Sequence, residues 1–429
     1  MSIVRDRAYR ERMTTSFELA DGVEDWRVLG GDASAWFPAS SHATGAALGS
    51  RVAGLPDAAA DVDVRATGVR VRLRGAGDGT ADPAQVEAAR AISAEARELG
   101  LRADPAALQD VRLVVETATP DAARSFWREV LDYEPVGEHV LMDPRHRDPL
   151  VAFRVREAVP PLRNRLHLDV VRPPDAVGAV QRALARTPTG PFGVMIADDE
   201  GNEVDLVPGE RVPGGADTED WWAVFAGTAF YATSSPEQAA SLAVAVANLA
   251  DDAGIPLLVD VRPGGVTIDT GKDQWHPDVQ PAFSGLAGPL QAAARAAGGA
   301  PARDGARFVQ IGMDAVDVPA TRAFWAAALG YVEDPRQGLT DLYDPRRFGP
   351  VMFFQDMEAS DDARRRQRGR IHVELAVPHD AVDARVDAAL AAGGRVVEDE
   401  RPGRCVVADP EGNELAITAR TDDVGTALP

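Results

Sequence analysis

The sequence is poor in cysteine and lysine. Cys405 is the single cysteine among 429 residues, so the chain has neither an internal disulfide nor a thiolate metal cluster, which is the pattern of a reducing cytoplasm. Lys272 is the only lysine, and the 45 basic side chains stand against 67 acidic ones, for a formal net charge of −22. So acidic a chain lacks the basic surface that nucleic acid or an anionic membrane requires.

Long apolar runs are missing as well. No run approaches the roughly 18 residues of a membrane helix, and the polar start, Met1–Asp6, has no signal-peptide core. We therefore expect a cytoplasmic protein without a membrane or nucleic-acid partner. The arginine-rich, alanine-rich composition is typical of a high-GC bacterial genome.

What the chain does contain is an internal duplication. Val62–Leu73 reads VDVRATGVRVRL, and Val259–Thr270 reads VDVRPGGVTIDT, roughly 200 residues later. Other pairs recur in the same order: Glu24–Trp26 with Glu219–Trp221, Arg124–Trp127 with Arg322–Trp325, Arg165–Asp169 with Arg370–Glu374, and Glu200–Glu203 with Glu411–Glu414. A period of this length is too long for a solenoid repeat and indicates a duplicated two-domain cassette.

The hydrophobic pattern predicts an α+β chain of four domains. Helices are predicted over 43–54, 83–99 and 288–298, among others, and a long alternating strand over 62–73. The predicted divisions are an N-terminal arm (1–16), a first domain (17–106), a second domain (107–212), a third domain (217–303), a fourth domain (304–421) and a tail (422–429).

The second and fourth domains each carry two copies of a β-α-β-β-β pattern. The recurring motifs are Phe126-Trp127 and Phe324-Trp325, Leu166-His167 and Ile371-His372, and the acidic turns 198–203 and 409–414. On these residues both domains resemble the vicinal-oxygen-chelate family of glyoxalase, bleomycin-resistance and extradiol-dioxygenase proteins. The resemblance implies a U-shaped sheet whose concave face holds a ligand and, often, a divalent metal.

The first domain resembles pterin-4a-carbinolamine dehydratases, on Ser41–Gly45 at a helix start and Leu55–Asp57 ahead of Asp61–Arg65. The third domain shows the same resemblance, through Val259–Val266 and through its equivalence to the first domain. The family's His-His-Pro-Asp signature is replaced here by Ala58-Ala59-Ala60-Asp61. Because alanine cannot transfer a proton, we do not expect 4a-hydroxytetrahydrobiopterin dehydratase activity; a reshaped pocket or a packing and dimerisation role fits better.

The chelate resemblance implies a metal site with one ligand from each of three strands. Carried onto this chain, the three positions are Arg112 and Gln310 on the first strand, His167 and His372 on the strand opening the second half, and Asp205 and Ala416 on the last strand. Arginine and alanine cannot ligate a cation, so the triad is broken in both domains and no metal or other cofactor is expected. The alternative metal set is Glu116, His167 and Asp205, since Glu116 shares a strand face with Arg112.

His167 and His372 recur at one position in the two halves, each followed two residues later by an acid, Asp169 or Glu374. Either the rings pack against the sheet with one nitrogen bonded to the backbone, or they serve as acid/base groups, because imidazole titrates near neutrality. Glu203 and Glu414 allow two interpretations as well, a concave-face ligand contact or a turn-to-strand entry.

Two functional hypotheses follow. The favoured one is a metal-independent enzyme of lyase, cyclase or isomerase type, such as an enzyme of specialised metabolism, that acts on a small molecule. Its catalytic residues would be His167 and His372, and its substrate-binding residues Arg112, Glu116, Asp169, Glu203, Asp205, Gln310, Glu374 and Glu414. The alternative is a binding or sequestering protein of the resistance type, or a scaffold, without catalysis. The two chelate-like domains are expected to pair within a monomer or across a homodimer.

Overall fold

The structure, a computed structural model, describes residues 15–56, 60–75, 82–275, 280–302 and 305–419. They form two compact units. The single-sheet unit combines residues 15–108 with 209–307, and the two-sheet unit combines 109–208 with 308–419. Ala58 and Ala59, most of the N-terminal arm and the C-terminal tail lie outside the described residues.

The strands and helices alternate along the chain in the mixed order that the sequence predicts. The first strands are β1 (Arg27–Leu29), β2 (Asp32–Pro38), β3 (Ala60–Arg65), β4 (Gly68–Leu73), β5 (Asp110–Thr117), β6 (Glu134–Val136), β7 (Val140–Met142), β8 (Val151–Val155), β9 (Leu166–Arg172), β10 (Met195–Ala197), β11 (Glu203–Pro208) and β12 (Glu210–Arg211). They continue as β13 (Trp222–Ala223), β14 (Gly227–Ala232), β15 (Leu258–Arg262), β16 (Gly265–Asp269), β17 (Ala300–Pro301), β18 (Phe308–Ala315), β19 (Val332–Glu333), β20 (Leu342–Tyr343), β21 (Val351–Asp356), β22 (Ile371–Ala376), β23 (Arg395–Glu400), β24 (Arg404–Ala408) and β25 (Glu414–Thr418). The helices are α1 (His42–Ala53), α2 (Pro83–Glu98), α3 (Pro120–Leu131), α4 (Pro174–Leu184), α5 (Pro236–Ala253), α6 (Gln280–Ala296), α7 (Val318–Leu329), α8 (Asp362–Arg366) and α9 (Val382–Ala391).

The α+β class is confirmed, with two local differences. The predicted strand 62–73 is a hairpin, β3 and β4, because the chain turns at Ala66-Thr67. The helix predicted over 288–298 begins earlier, at Gln280, and Pro289 lies inside it. Proline is common at a helix start, whereas Pro289 lies in the interior of this helix. Within the described residues, no helix is long and apolar enough to cross a membrane.

The single-sheet unit contains ten strands in the order β1-β2-β4-β3-β15-β16-β14-β13-β12, with β17 beside β14. Its centre is the antiparallel pairing of β3 with β15, in which Asp63 lies opposite Asp260. These two strands are the duplicated VDVR segments themselves. The valines of one strand face join the apolar core with α1, α2, α5 and α6, and the acids and arginines share the other face.

The charged face of this pairing is a reciprocal set of buried ion pairs. Arg262 donates to Asp63 at 2.6 Å, and Arg65 lies 2.7 Å from Asp260, so each repeat supplies the arginine for the other's aspartate. Arg70 donates to the second oxygen of Asp63 at 2.6 Å. Burial alone would raise the pKa of Asp63, but the charges of Arg262 and Arg70 outweigh it and hold the pKa well below its ordinary range.

We predict that Asp63→Ala destabilises the protein by about 3–5 kcal/mol, because it leaves two buried guanidinium groups without their shared carboxylate. Urea unfolding followed by circular dichroism measures the loss. The control is Glu95→Ala, which removes the partly exposed ion pair with Arg51 and should cost below about 1 kcal/mol. Equal losses in the two variants would contradict the importance of the buried set.

The two-sheet unit exchanges strands between its two chain segments. The eight-stranded sheet runs β23-β24-β25-β22-β5-β8-β7-β6, and the seven-stranded sheet runs β10-β11-β9-β18-β21-β20-β19. Antiparallel pairings of β22 with β5 and of β18 with β9 join the segments. The sequence predicts one chelate-like domain within 107–212 and another within 304–421. Each sheet combines strands of both segments, four and four in the eight-stranded sheet and three and four in the seven-stranded sheet.

The recurring Phe-Trp and Glu-Gly-Asn motifs join the two halves of each segment. Trp127 donates its indole N–H to Asp198 at 3.3 Å, and Trp325 donates to Asp409 at 3.0 Å. In the same turn, Glu200 accepts the backbone N–H of Thr119, just before α3. The Phe-Trp and Glu-Gly-Asn motifs therefore position helices and turns in this structure.

Candidate functional site

Each sheet of the two-sheet unit carries polar side chains on the face opposite the apolar core. The seven-strand site consists of Gln310, Gly312 and Asp314 on β18, His167 and Asp169 on β9, and Glu203 and Asp205 on β11. The eight-strand site consists of Arg112, Val114 and Glu116 on β5, His372 and Glu374 on β22, and Glu414 and Ala416 on β25. Every predicted site residue lies in one of these two sets.

Strand register arranges the equivalent residues in matching rows. In the seven-strand site Asp169 is paired with Gln310 on one side and with Asp205 on the other. In the eight-strand site the same row is formed by Arg112, Glu374 and Ala416. Since paired residues on adjacent strands point to one face, each row is a line of neighbouring side chains.

The seven-strand site brings a histidine and two aspartates together. His167, Asp169 and Asp205 each offer one ligand atom, and these atoms lie within 4.8 Å of one another. Gln310 donates its amide to Oδ2 of Asp169 at 2.8 Å, while Oδ1 lies 3.6 Å from Nε2 of His167. Nδ1 of His167 is buried and has no hydrogen-bond partner among the described residues. The arrangement leaves nitrogen and oxygen donors converging on one point.

Gly312 is required for this placement of His167. The two residues are register partners across β9 and β18, and a Cβ at position 312 would overlap the imidazole ring. The equivalent residue in the other sheet is Val114, opposite His372. With a side chain in that place, the ring of His372 lies instead near Glu116, 3.6 Å from its carboxylate.

Burial tunes the protonation of the seven-strand site. It lowers the pKa of His167 to about 4, so the ring is neutral at physiological pH. Burial also raises the pKa of Asp205, and the neighbouring acids Glu203 and Asp314 add to that effect. A neutral imidazole can accept a proton or ligate a metal ion.

Asp205 is the acid of the seven-strand site without a basic partner in the described part of the chain. Glu203 and Asp314 have strong partners, because Arg163 donates to Glu203 at 2.5 Å and Arg364 donates to Asp314. Asp169 accepts a hydrogen bond from the amide of Gln310. The half-buried carboxylate of Asp205 is therefore the one whose negative charge is not compensated by an arginine among these side chains.

The eight-strand site is built around a buried acid with basic partners. Arg368 donates to Glu116 at 2.6 Å and Arg156 donates at 3.0 Å. Burial would raise the pKa of Glu116, but the ring of His372 and the hydrogen bonds from Arg368 and Arg156 outweigh it and hold the pKa far below its usual range. Glu414 also binds Arg368, at 2.9 Å.

The alternative metal set of Glu116, His167 and Asp205 is not assembled. Glu116 lies on β5 in the eight-stranded sheet, whereas His167 and Asp205 lie on the seven-stranded sheet. The prediction assumed that the strands of one domain share a sheet, and the exchange of strands separates them. The carboxylate that accompanies His167 is Asp169, two residues along its own strand.

Apart from Arg112, the arginines of both sites were not predicted from the sequence. Arg163 and Arg368 occupy the same position ahead of the paired histidines, in Arg163–Asp169 and Arg368–Glu374. That recurrence was a usable signal. Arg364, Arg154 and Gln355 have no such signature in the sequence.

Comparisons with known proteins find one family model and several solved structures that are similar to this chain. Residues 112–207 and 310–418 match the family model described as a glyoxalase-like domain. A search of curated proteins finds no match. Among solved structures, glyoxalase I from Zea mays is 11% identical with a TM-score of 0.35, over 72% of this chain and 92% of its own. A putative dioxygenase from Bacillus subtilis is 9% identical with a TM-score of 0.34, over 74% and 90%. A fosfomycin resistance protein from Listeria monocytogenes is 15% identical with a TM-score of 0.22, over 26% and 88%.

The two segments matched by the family model resemble the vicinal-oxygen-chelate class. The two matched segments have the glyoxalase-like fold of that class, which includes enzymes and resistance proteins. The resemblance of the other two domains to pterin dehydratases stays a prediction.

We predict that acid weakens the protein partly through Glu116. Its depressed pKa means that its contribution is complete above the ordinary glutamate pKa of about 4.3 and is lost as the pH falls toward the folded-state pKa. Glu116→Gln should cost about 1.5–3 kcal/mol at pH 7, and the variant and wild-type stabilities should converge at low pH. Denaturant titrations from pH 7 to pH 3 test this. The exposed Glu398, paired with Arg404, supplies the control Glu398→Gln; a similar pH response in the control would contradict the assignment.

Proposed function

We propose that the seven-strand site binds a divalent cation and is the active site of an enzyme acting on a small molecule. The observation that carries the proposal is the convergence of His167, Asp169 and Asp205 within 4.8 Å. The carboxylate of Asp205 supports the same conclusion, because it has no basic partner in the described part of the chain and a bound cation would compensate its charge. This departs from the metal independence expected from sequence, which took Gln310 and Asp205 as parts of separate sites.

The donor set fits a transition-metal ion. One imidazole and two carboxylates suit Mn²⁺, Fe²⁺ or Zn²⁺, and Nδ1 of His167 is a buried donor atom without a partner among the described residues. A bound cation would polarise a substrate oxygen. Gln310 acts as a positioning residue, because its bond to Oδ2 of Asp169 leaves Oδ1 facing the histidine.

The surrounding side chains restrict what enters. Gly312 keeps the ring of His167 close against β18, and Phe353 packs edge-on to that ring with centroids 5.7 Å apart. Arg163 is half exposed beside Glu203 and Asp314, where it would meet an acidic group of a substrate. The site therefore favours a small oxygen-bearing molecule with an apolar portion next to Phe353.

A metal-free acid/base enzyme is the second candidate. The raised pKa of Asp205 beside a neutral His167 would let the two residues exchange a proton with a substrate. The third candidate is sequestration of a small molecule without turnover, which requires no change in the protonation of Asp205 or His167.

Metal analysis of the purified protein, followed by calorimetric titration with Mn²⁺ and Zn²⁺, decides between these candidates. We expect one tight site per chain and at least about tenfold weaker binding in Asp205→Ala and in His167→Ala. The matched control is His372→Ala, which changes the equivalent histidine of the other sheet and should leave the titration unchanged. Absence of metal binding, or an equal effect of His372→Ala, would overturn the cation site and leave the acid/base and sequestration candidates.

A further inference from the structure

Arg112 in the eight-strand site lacks adequate partners. Its side chain is only 3% exposed, and neither Nε nor Nη2 has a hydrogen-bond partner among the described residues. Its one ion pair, with Asp110, spans 3.7 Å, and Asp110 is itself one-third exposed. A buried guanidinium left in this state is strongly destabilising, so a site that retains one is expected to receive an anion from elsewhere.

The equivalent position in the seven-stranded sheet shows which kind of hydrogen bond Arg112 lacks. Gln310 stands where Arg112 does, and its amide is satisfied by Asp169 at 2.8 Å. Glu374, the counterpart of Asp169, lies instead 3.7 Å from Arg154. The neighbouring acid therefore does not supply the bonds that Arg112 lacks.

The row of side chains in the eight-strand site also has one carboxylate fewer than the matching row in the seven-strand site. Asp205 ends the row in the seven-strand site, and Ala416 takes that place in the eight-strand site. Arg112 and Ala416 lie on either side of Glu374, two strand spacings or roughly 9–10 Å apart at Cα, a gap that the arginine side chain can partly span. Replacing Gln by Arg and Asp by Ala moves the row toward positive charge at both ends.

We propose that the eight-strand site binds a small molecule through an oxyanion, a carboxylate or a phosphate, held by Arg112 in the space left by Ala416. The guanidinium fork matches either group with two parallel hydrogen bonds. Arg154, which lies 3.7 Å from Glu374, adds a second positive charge, and the negative charge of Glu374 limits the site to one anionic group. The inference is independent of the cation proposed for the seven-strand site.

The test is calorimetric titration of the full-length protein with sodium acetate and, separately, with inorganic phosphate. EDTA is present throughout, so that no anion can bind through a metal in the other sheet. We expect saturable binding of at least one of the two, and at least about tenfold weaker binding in Arg112→Gln, which copies the residue of the seven-strand site. Binding of acetate alone assigns a carboxylate ligand, and binding of phosphate alone assigns a phosphate-bearing one.

Two further variants separate a ligand role from a structural one. Ala416→Asp returns the protein's own carboxylate to the row and should abolish anion binding while the melting temperature is kept. Arg186→Gln removes the same charge from an exposed ion pair with Asp199 and should bind like the wild type. The proposal is overturned if neither anion binds, if Arg112→Gln binds as tightly as the wild type, or if Arg112→Gln loses melting temperature as a structural arginine would.

Discussion

The antiparallel pairing of strands from different chain segments is the interaction on which the two-sheet unit depends. Where β9 meets β18, a hydrogen-bonded ladder places Asp169 beside Gln310 and His167 against Gly312. Where β22 meets β5, the same ladder places Glu374 beside Arg112. Neither polar site exists within one segment, because each row draws its first residue from one copy and its others from the second. Backbone pairing thus fixes the chemistry as well as the fold.

Antiparallel pairing of strands from the two copies also determines which charges meet in the single-sheet unit. Antiparallel pairing of two nearly identical strands puts Asp63 directly opposite Asp260, an unfavourable contact of like charges. The arginine two residues after each aspartate reaches diagonally across to the other strand and reverses the sign of the interaction. A four-residue motif that pairs with its own copy must therefore contain both charges, which explains why the VDVR sequence appears intact in both halves.

Much of the fold and of the two sites could be predicted from the sequence. The features that could not be predicted share a physical cause. Periodicity and caps located most helices. The residues predicted for the sites all lie in one of the two polar sets, because they recur at matching positions in the two copies. Their grouping was wrong for Glu116, since no local pattern records which strand of a distant copy lies alongside. Gly312 was missed because its role, room for an imidazole, becomes visible only once the partner strand is known.

Strand exchange between the copies has a consequence for how the protein could diversify. If a single copy assembled with itself, both sheets would be chemically identical, and any substitution would appear twice. In the fused chain a change at position 112 or 416 alters one sheet, and a change at 310 or 205 alters the other. Because the two copies are joined in one chain, the two polar faces can differ from each other. The copies also depend on each other, because deleting either one would remove part of both faces.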